Sequence, residues 1–144
     1  MAAVFLGVQF LVAGCGLFYG TSRVDPAVLD EVRGIGRVLG EATVEGDYGA
    51  GAEVTDMLVI DVGGANGQEA ADRADALLLE REWTVVARMP PHGTQMRSTI
   101  WDGVYLDFHP FYPEEDKSYP DEIAKVIEAS AKPETLLIVS LDQT

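Results

Sequence analysis

Hydrophobic residues in this chain fall into short runs separated by glycine, proline and acidic residues, and their spacing predicts a mixture of helices and strands. Residues 57–62 and 136–141 are apolar on both faces, which favours strands in the middle of a sheet, and residues 83–89 form another strand-like run. Apolar residues recur at three- and four-residue spacing in residues 68–82 and 120–131, which predicts two amphipathic helices.

Residues 25–56, which precede the apolar run at residues 57–62, predict a further helix and then a loop. Asp25-Pro26 is typical of a helix start, because Asp accepts hydrogen bonds from free amides and Pro suits the first helical position. Apolar residues continue at helical spacing to about residue 42, at Val28, Val32, Ile35, Leu39 and Ala42. Residues 43–56 combine acidic residues with glycine and show little periodicity, so we expect an irregular acidic loop there.

The sequence Asp102-Gly103 predicts a hairpin with a two-residue turn. In that register Trp101 lies opposite Val104, and Arg97 lies opposite Phe108. We expect one face of the hairpin to pack in the core through Trp101, Val104, Leu106 and Phe108. The other face, which we expect to be more hydrated, carries Ser98, Ile100, Tyr105 and Asp107.

After the first helix the predicted order is strand, helix, strand, hairpin, helix and strand. This order favours an α+β fold with a mostly antiparallel sheet of about five strands and with the helices packed on one face. It is similar to a ferredoxin-like sandwich with one strand added. We expect residues 25–144 to form a single domain, with residues 57–62 and 136–141 side by side at the centre of the sheet.

The N-terminal segment resembles a bacterial export signal. Residues 1–14 carry no charge and end in small residues, and the run is shorter than the roughly 20 apolar residues that a spanning helix needs. Leu11-Val12-Ala13-Gly14-Cys15 resembles the lipobox of bacterial lipoproteins. That resemblance implies a signal peptide over residues 1–14, a diacylglyceryl thioether on Cys15, and a tether over residues 15–24.

The lipobox resemblance also implies a location, on the extracytoplasmic face of the cell membrane. An exported protein with a single cysteine forms no internal disulfide, and acylation removes the reactive thiol. Members of that family carry Lys or Arg before the apolar run, and their absence here suggests a translation start further upstream. The alternative is a buried hydrophobic N-terminal helix in which Cys15 is an inert core residue.

The charge of the chain excludes some partners. Asp and Glu number 24 against 10 Lys and Arg, giving a formal net charge of -14. Nucleic acids are bound by clusters of Lys and Arg, so we expect no nucleic-acid partner. Anionic lipids repel such a domain, so membrane association must come from acyl chains. The expected role is non-catalytic binding or interaction, with an unknown protein or small-molecule partner.

Residues 61–67, Asp-Val-Gly-Gly-Ala-Asn-Gly, connect a predicted strand to a predicted helix, and Asn66 with Glu69 is typical of a capping box. The segment resembles motif I of S-adenosylmethionine-dependent methyltransferases, although Ala65 stands where that family has glycine. The resemblance implies a nucleotide-cofactor site in a cytoplasmic protein, formed by Asp61, Gly63, Gly64 and Gly67. The alternative, which we expect, is a tight turn that needs glycine for its backbone angles, with no cofactor.

Two other sets of polar residues are weaker candidates. Asp107, His109 and Glu115 are a candidate general acid and base set, and His92 with His109 is a candidate metal pair. No nucleophile stands in a recognisable motif beside the first set, and no further His or Cys has ligand spacing to the second. We therefore expect no catalytic residue and no metal site.

Overall fold

The computed structural model describes residues 23–48, 51–90, 92–113 and 118–144. Its helices are α1 (Pro26–Arg33), α2 (Gly67–Glu80) and α3 (Asp121–Ala129). Its strands are β1 (Arg37–Tyr48), β2 (Gly51–Asp61), β3 (Trp83–Met89), β4 (Gly93–Ser98), β5 (Val104–Pro110) and β6 (Leu137–Gln143). A short 3₁₀ helix, Pro133–Thr135, leads into β6.

The strands form one antiparallel sheet in the order β1-β2-β6-β5-β4-β3, so the predicted α+β class is confirmed. The described part of the chain contributes six strands rather than about five. The two most apolar strands, β2 and β6, pair with each other away from both edges, as their composition predicts.

Helices cover both faces of this sheet, which corrects the prediction of helices on one face. A first core cluster joins α1 and α2 to one face, for example through Val28, Leu78 and Leu58. A second core cluster packs Ile123 of α3 on the opposite face, over Val59. Because β2 and β6 are apolar on both sides, helices on one face alone would leave the other apolar side in water. The fold is therefore not the expected ferredoxin-like two-layer sandwich.

The predicted first helix is too long. Helix α1 ends at Arg33, and the residues predicted as its second half form β1 instead. Gly36 brings the chain against β2, since a Cβ at this position would lie 2.5 Å from the carbonyl oxygen of Asp61. Leu39 and Ala42 pack in the second core cluster, under α3. Apolar residues at helical spacing were therefore also compatible with a strand that packs against a helix.

The predicted acidic loop over residues 43–56 is wrong, because β1 and β2 form a long hairpin there. Thr43 pairs with Asp56 and Val44 pairs with Thr55. Three of these four residues are β-branched or strand-favouring types, and this preference outweighs the glycines and carboxylates around them. Val54 and Asp56 are buried on the same side of β2, so the alternation expected of a strand is present.

The second hairpin forms with a longer connection than predicted. Strand β4 ends at Ser98, residues 99–103 form the turn, and Arg97 lies opposite Tyr105 rather than Phe108. The Ser98 hydroxyl accepts hydrogen bonds from the amides of Ile100 and Trp101, at 3.1 and 3.0 Å, which ends the strand early. The predicted core face is confirmed for three residues, Val104, Leu106 and Phe108.

Both edge strands are irregular. A bulge interrupts the register of β1 between Val38 and Gly40, and another interrupts β3 between Val85 and Ala87. At the second bulge Val86 is 50% exposed. Bulges bend and twist a strand, so each edge strand is interrupted at its bulge.

Candidate functional site

A groove of about 710 Å³ lies where β2 ends and β6 begins. We call it the loop groove, and its lining includes Arg37, Asp61, Gly63, Gly64, Val126 and Lys132. Two other grooves are smaller, at about 200 and 390 Å³. Three of the four residues singled out by the methyltransferase resemblance therefore lie in one concave surface.

The carboxylate of Asp61 is already engaged in this groove. Its Oδ1 accepts a hydrogen bond from the amide of Gly63 at 2.8 Å, and its Oδ2 lies 3.5 Å from Nη2 of Arg37. Gly63 has a φ of 72°, a left-handed conformation that favours glycine, so the predicted tight turn is present. The side chain of Asp61 therefore stabilises the turn that follows it.

The remaining loop glycines allow close packing of α2. A Cβ at Gly64 would lie 2.8 Å from the amide nitrogen of Ala70. A Cβ at Gly67 would lie 2.9 Å from the carbonyl oxygen of Glu134, and Gly67 lies outside the groove. These two glycines are therefore required for contact between chain segments, whether or not a ligand binds.

The start of α2 is fixed by its own side chains. Asn66 Oδ1 accepts from the amide of Glu69 at 2.9 Å, which is the predicted N-cap. The carboxylate of Glu69 pairs with Arg73 at 2.9 Å instead of reaching back to residue 66. Arg73 also donates to the carbonyl oxygen of Gly63. Hydrogen bonds made by Asn66 and by Arg73 therefore fix the loop that borders the groove.

Two hydrogen bonds fix the backbone of Lys132, and its side chain is exposed. Its amide donates to the Ser130 hydroxyl at 3.3 Å, and its carbonyl oxygen accepts from the Thr135 hydroxyl at 2.8 Å. Its side chain is exposed and makes no ion pair with any residue that the structure describes. Arg37 is likewise 75% exposed, and its one ion pair among the described residues is the 3.5 Å contact with Asp61. The groove therefore holds two accessible cations.

The basic residues of the loop groove were missed by sequence reasoning. Arg37 opens β1, Lys132 follows α3, and Asp61 ends β2. Packing of α3 on the sheet and pairing of β1 with β2 bring them together. Asp61 and the Gly63 to Gly64 turn had a local signal, whereas Arg37 and Lys132 are far from them in the chain and had none.

One face of β5 and β6 carries two half-buried carboxylates, Asp107 and Asp142. Burial raises the pKa of Asp107 above its ordinary value, and the nearby His109 opposes that shift. Burial also raises the pKa of Asp142, and the charges of Asp107 and Glu53 add to the effect. Tyr105 lies directly opposite Asp142, which places both carboxylates on the predicted polar face.

The candidate acid and base set is only partly brought together. Asp107 and His109 lie on the same face of β5, and Glu115 lies outside the described residues. His109 Nδ1 lies 2.8 Å from the carbonyl oxygen of Pro110, and its ring stacks on Tyr112. In the described ranges no group of three His, Cys, Asp or Glu side chains is placed to hold a metal ion.

Residues 1–22 lie outside the described residues, and with them the predicted signal peptide, Cys15 and most of the tether. None of the helices formed by residues 23–48, 51–90, 92–113 and 118–144 is long and apolar enough to cross a membrane. The predicted lipid anchor therefore remains a prediction from the lipobox.

Comparison of the chain with protein-family models, curated proteins and solved structures finds no match. The functional assignment therefore depends on the lipobox, the fold and the loop groove. Of these, the loop groove is the one that contains described side chains predicted as site residues.

Proposed function

We propose that this protein is a lipid-anchored domain on the extracytoplasmic face of the cell membrane, where it binds a partner without catalysing a reaction. The lipobox supports the anchor on Cys15. The observation that carries the binding role is the loop groove, in which Lys132 is held by its backbone while its side chain is exposed. An exposed cation on a fixed backbone supports this binding role.

The start of the described domain lies away from the loop groove along β2. Arg23 is bound to Asp56, and Val24 is buried in the first core cluster. Helix α1 then leads toward the level of Asp61, about 16 Å further along β2. Arg23, the first described residue, is therefore separated from Asp61 of the loop groove by about 16 Å along β2.

The tether limits the distance between domain and membrane. The eight peptide steps from Cys15 to Arg23 span at most about 27 Å. Stable anchoring takes two or more acyl chains, because a single chain binds only reversibly. The tether raises the local concentration of the domain near membrane-bound partners, while its negative charge keeps it off anionic headgroups.

The anchor is tested by metabolic labelling of the full chain with a palmitate analogue. We expect label in the wild-type protein and no label in Cys15→Ala, since Cys15 is the only cysteine. The groove variant Lys132→Gln is a matched control that should keep both the label and the membrane fraction. An unlabelled wild-type protein found in the cytosol would overturn the proposal.

A cytoplasmic nucleotide-cofactor protein is the second candidate, because Asp61, Gly63 and Gly64 line the same groove. Against it, Oδ1 of Asp61 already accepts a hydrogen bond from the amide of Gly63 at 2.8 Å. Calorimetry with S-adenosylmethionine at millimolar concentration separates the two proposals. Heat that is lost in Asp61→Asn would favour the cofactor site, and no heat would remove it.

A further inference from the structure

We infer that the loop groove binds a small organic anion, which has one carboxylate or phosphate group on an apolar body. This inference rests on the proposed binding function and names the chemical class of the ligand. It is carried by the charge of the groove relative to the rest of the chain, and by the apolar residues that lie beside that charge.

The charge of the loop groove is opposite in sign to that of the chain. Among its lining residues Arg37 and Lys132 are cationic, and Asp61 is the one carboxylate. The groove between α2 and the β3 to β5 strands has two carboxylates and one arginine, Asp72, Asp75 and Arg88. The groove beside α1 has three carboxylates and two arginines, Arg23, Arg33, Glu41, Asp56 and Glu122. In a chain of net charge -14, the loop groove alone among these three is basic.

The basic groups are available to a ligand, in contrast to most described arginines. Arg88 is bound to Asp75 at 2.7 Å, and Arg33 is bound to Glu41 at 2.7 Å. Lys132 makes no such pair within the described ranges, and the contact of Arg37 with Asp61 is 3.5 Å long. An arriving carboxylate or phosphate therefore gains charge-assisted hydrogen bonds without first breaking a short ion pair.

Apolar residues lie next to these cations. Leu39, Val126 and Leu136 line the groove, and all three belong to the second core cluster or pack against it. A volume of about 710 Å³ is within the usual range for small-molecule sites. Mostly apolar walls with a few fixed polar groups are typical of such sites, so the ligand should combine an apolar body with its anionic group.

The inference is tested by titrating the full chain carrying Cys15→Ala, which takes no lipid, with octanoate, octyl phosphate, octylammonium and octanol. Binding is followed by calorimetry and by the NMR shifts of the Gly63, Gly64 and Lys132 amides. We expect both anions to bind and to move these amides, and we expect octylammonium and octanol not to do so. Comparison of octanoate with octyl phosphate shows which anionic group is preferred.

Matched lysine variants locate the site. Lys132→Gln should weaken anion binding about tenfold, which is the usual value of one charge-assisted hydrogen bond. Lys125→Gln removes an exposed lysine of α3 that lies outside the groove, and binding should stay within twofold. Circular dichroism checks that each variant is folded. Arg37→Gln removes the other cation of the groove and should also weaken anion binding.

Three results would overturn the inference: equal binding of octylammonium, anion binding that Lys132→Gln leaves unchanged, or no anion binding at concentrations up to about 10 mM. These results leave the anchor untouched. If Cys15 is labelled and no anion binds, the ligand class is wrong while the lipid-anchored domain stands. If anions bind and Cys15 is unlabelled, the groove is a binding site in a protein with another location.

Discussion

The guanidinium of Arg23 contacts both oxygens of the Asp56 carboxylate, with Nη2 3.0 Å from Oδ1 and Nε 3.4 Å from Oδ2. Asp56 is only 4% exposed, and the hydroxyl of Thr43 also donates to its Oδ1, at 3.2 Å. The contact joins the first described residue to both strands of the long hairpin. It fixes the point at which the tether meets the sheet.

We therefore expect Asp56→Ala to lower the free energy of unfolding by about 1–3 kcal/mol, because it removes hydrogen bonds to a buried charged acceptor. Urea denaturation measures this change. Asp30→Ala is the control, since it breaks only the exposed pair of Asp30 with Arg33 and should cost less than about 0.5 kcal/mol. Equal effects of the two substitutions would show that the Arg23 contact does not hold the domain together.

Gly36→Ala should destabilise the protein by about 1–3 kcal/mol, because the added Cβ would lie 2.5 Å from the carbonyl oxygen of Asp61 and displace the end of β2. Gly34→Ala is a closely placed control, with its nearest contact at 3.1 Å. It should cost less. Thermal denaturation compares the two, and a larger loss in Gly34→Ala would contradict this account of the turn into β1.

Asp107→Asn should stabilise the protein at neutral pH. Burial raises the pKa of the folded Asp107 carboxyl above its ordinary value of 3.8, so the ionised form costs stability. That cost is fully present above the folded pKa and disappears as the pH falls below about 3.8. The Asp107→Asn gain in unfolding free energy should therefore be seen at pH 7 and vanish at low pH.

The comparison requires a charge control, because each Asp→Asn change also lowers the net negative charge. Asp102→Asn provides it, since Asp102 is exposed in the turn before β5. Denaturant titrations of both variants across the pH range give the answer. A gain that is the same for both substitutions, or that grows toward low pH, would rule out burial as the cause.

Trp83→Phe should lower the unfolding free energy far less than Trp83→Ala, because the buried Nε1 finds no hydrogen-bond partner among the described residues and only part of the buried ring is lost. The indole packs in the first core cluster, so it stabilises the fold through the burial of its apolar surface. Trp83→Ala should accordingly cost about 3–5 kcal/mol. A large loss in the phenylalanine variant would indicate an acceptor for the indole N–H.

Elements with a long, consistent hydrophobic pattern were predicted correctly. The second half of strand β2, helix α2 and strand β6 have such patterns, and the cap at Asn66 marks the start of α2. Strand β1 was missed because Leu39 and Ala42 continue the spacing of α1, although they pack under α3. The second hairpin was misregistered because the Ser98 hydroxyl ends β4 before the Asp-Gly turn.

The candidate site was only half predictable. The turn at Gly63 and Gly64 has a local pattern, and the structure places it beside the loop groove. Lys132 and Arg37 have no such pattern, since non-local packing decides which exposed cations share a concave surface. Sequence reasoning therefore found Asp61 and the Gly63 to Gly64 turn and missed the two cations of the groove.

The irregular edges of the sheet have a consequence for molecules held on a bilayer. Anchored proteins meet side by side in two dimensions, where straight β-edges would join neighbours into ribbons. The bulges at Val38 to Gly40 and at Val85 to Ala87 interrupt the pairing that such ribbons need. In the proposed membrane-anchored state the bulges therefore disfavour edge-to-edge pairing of neighbouring copies.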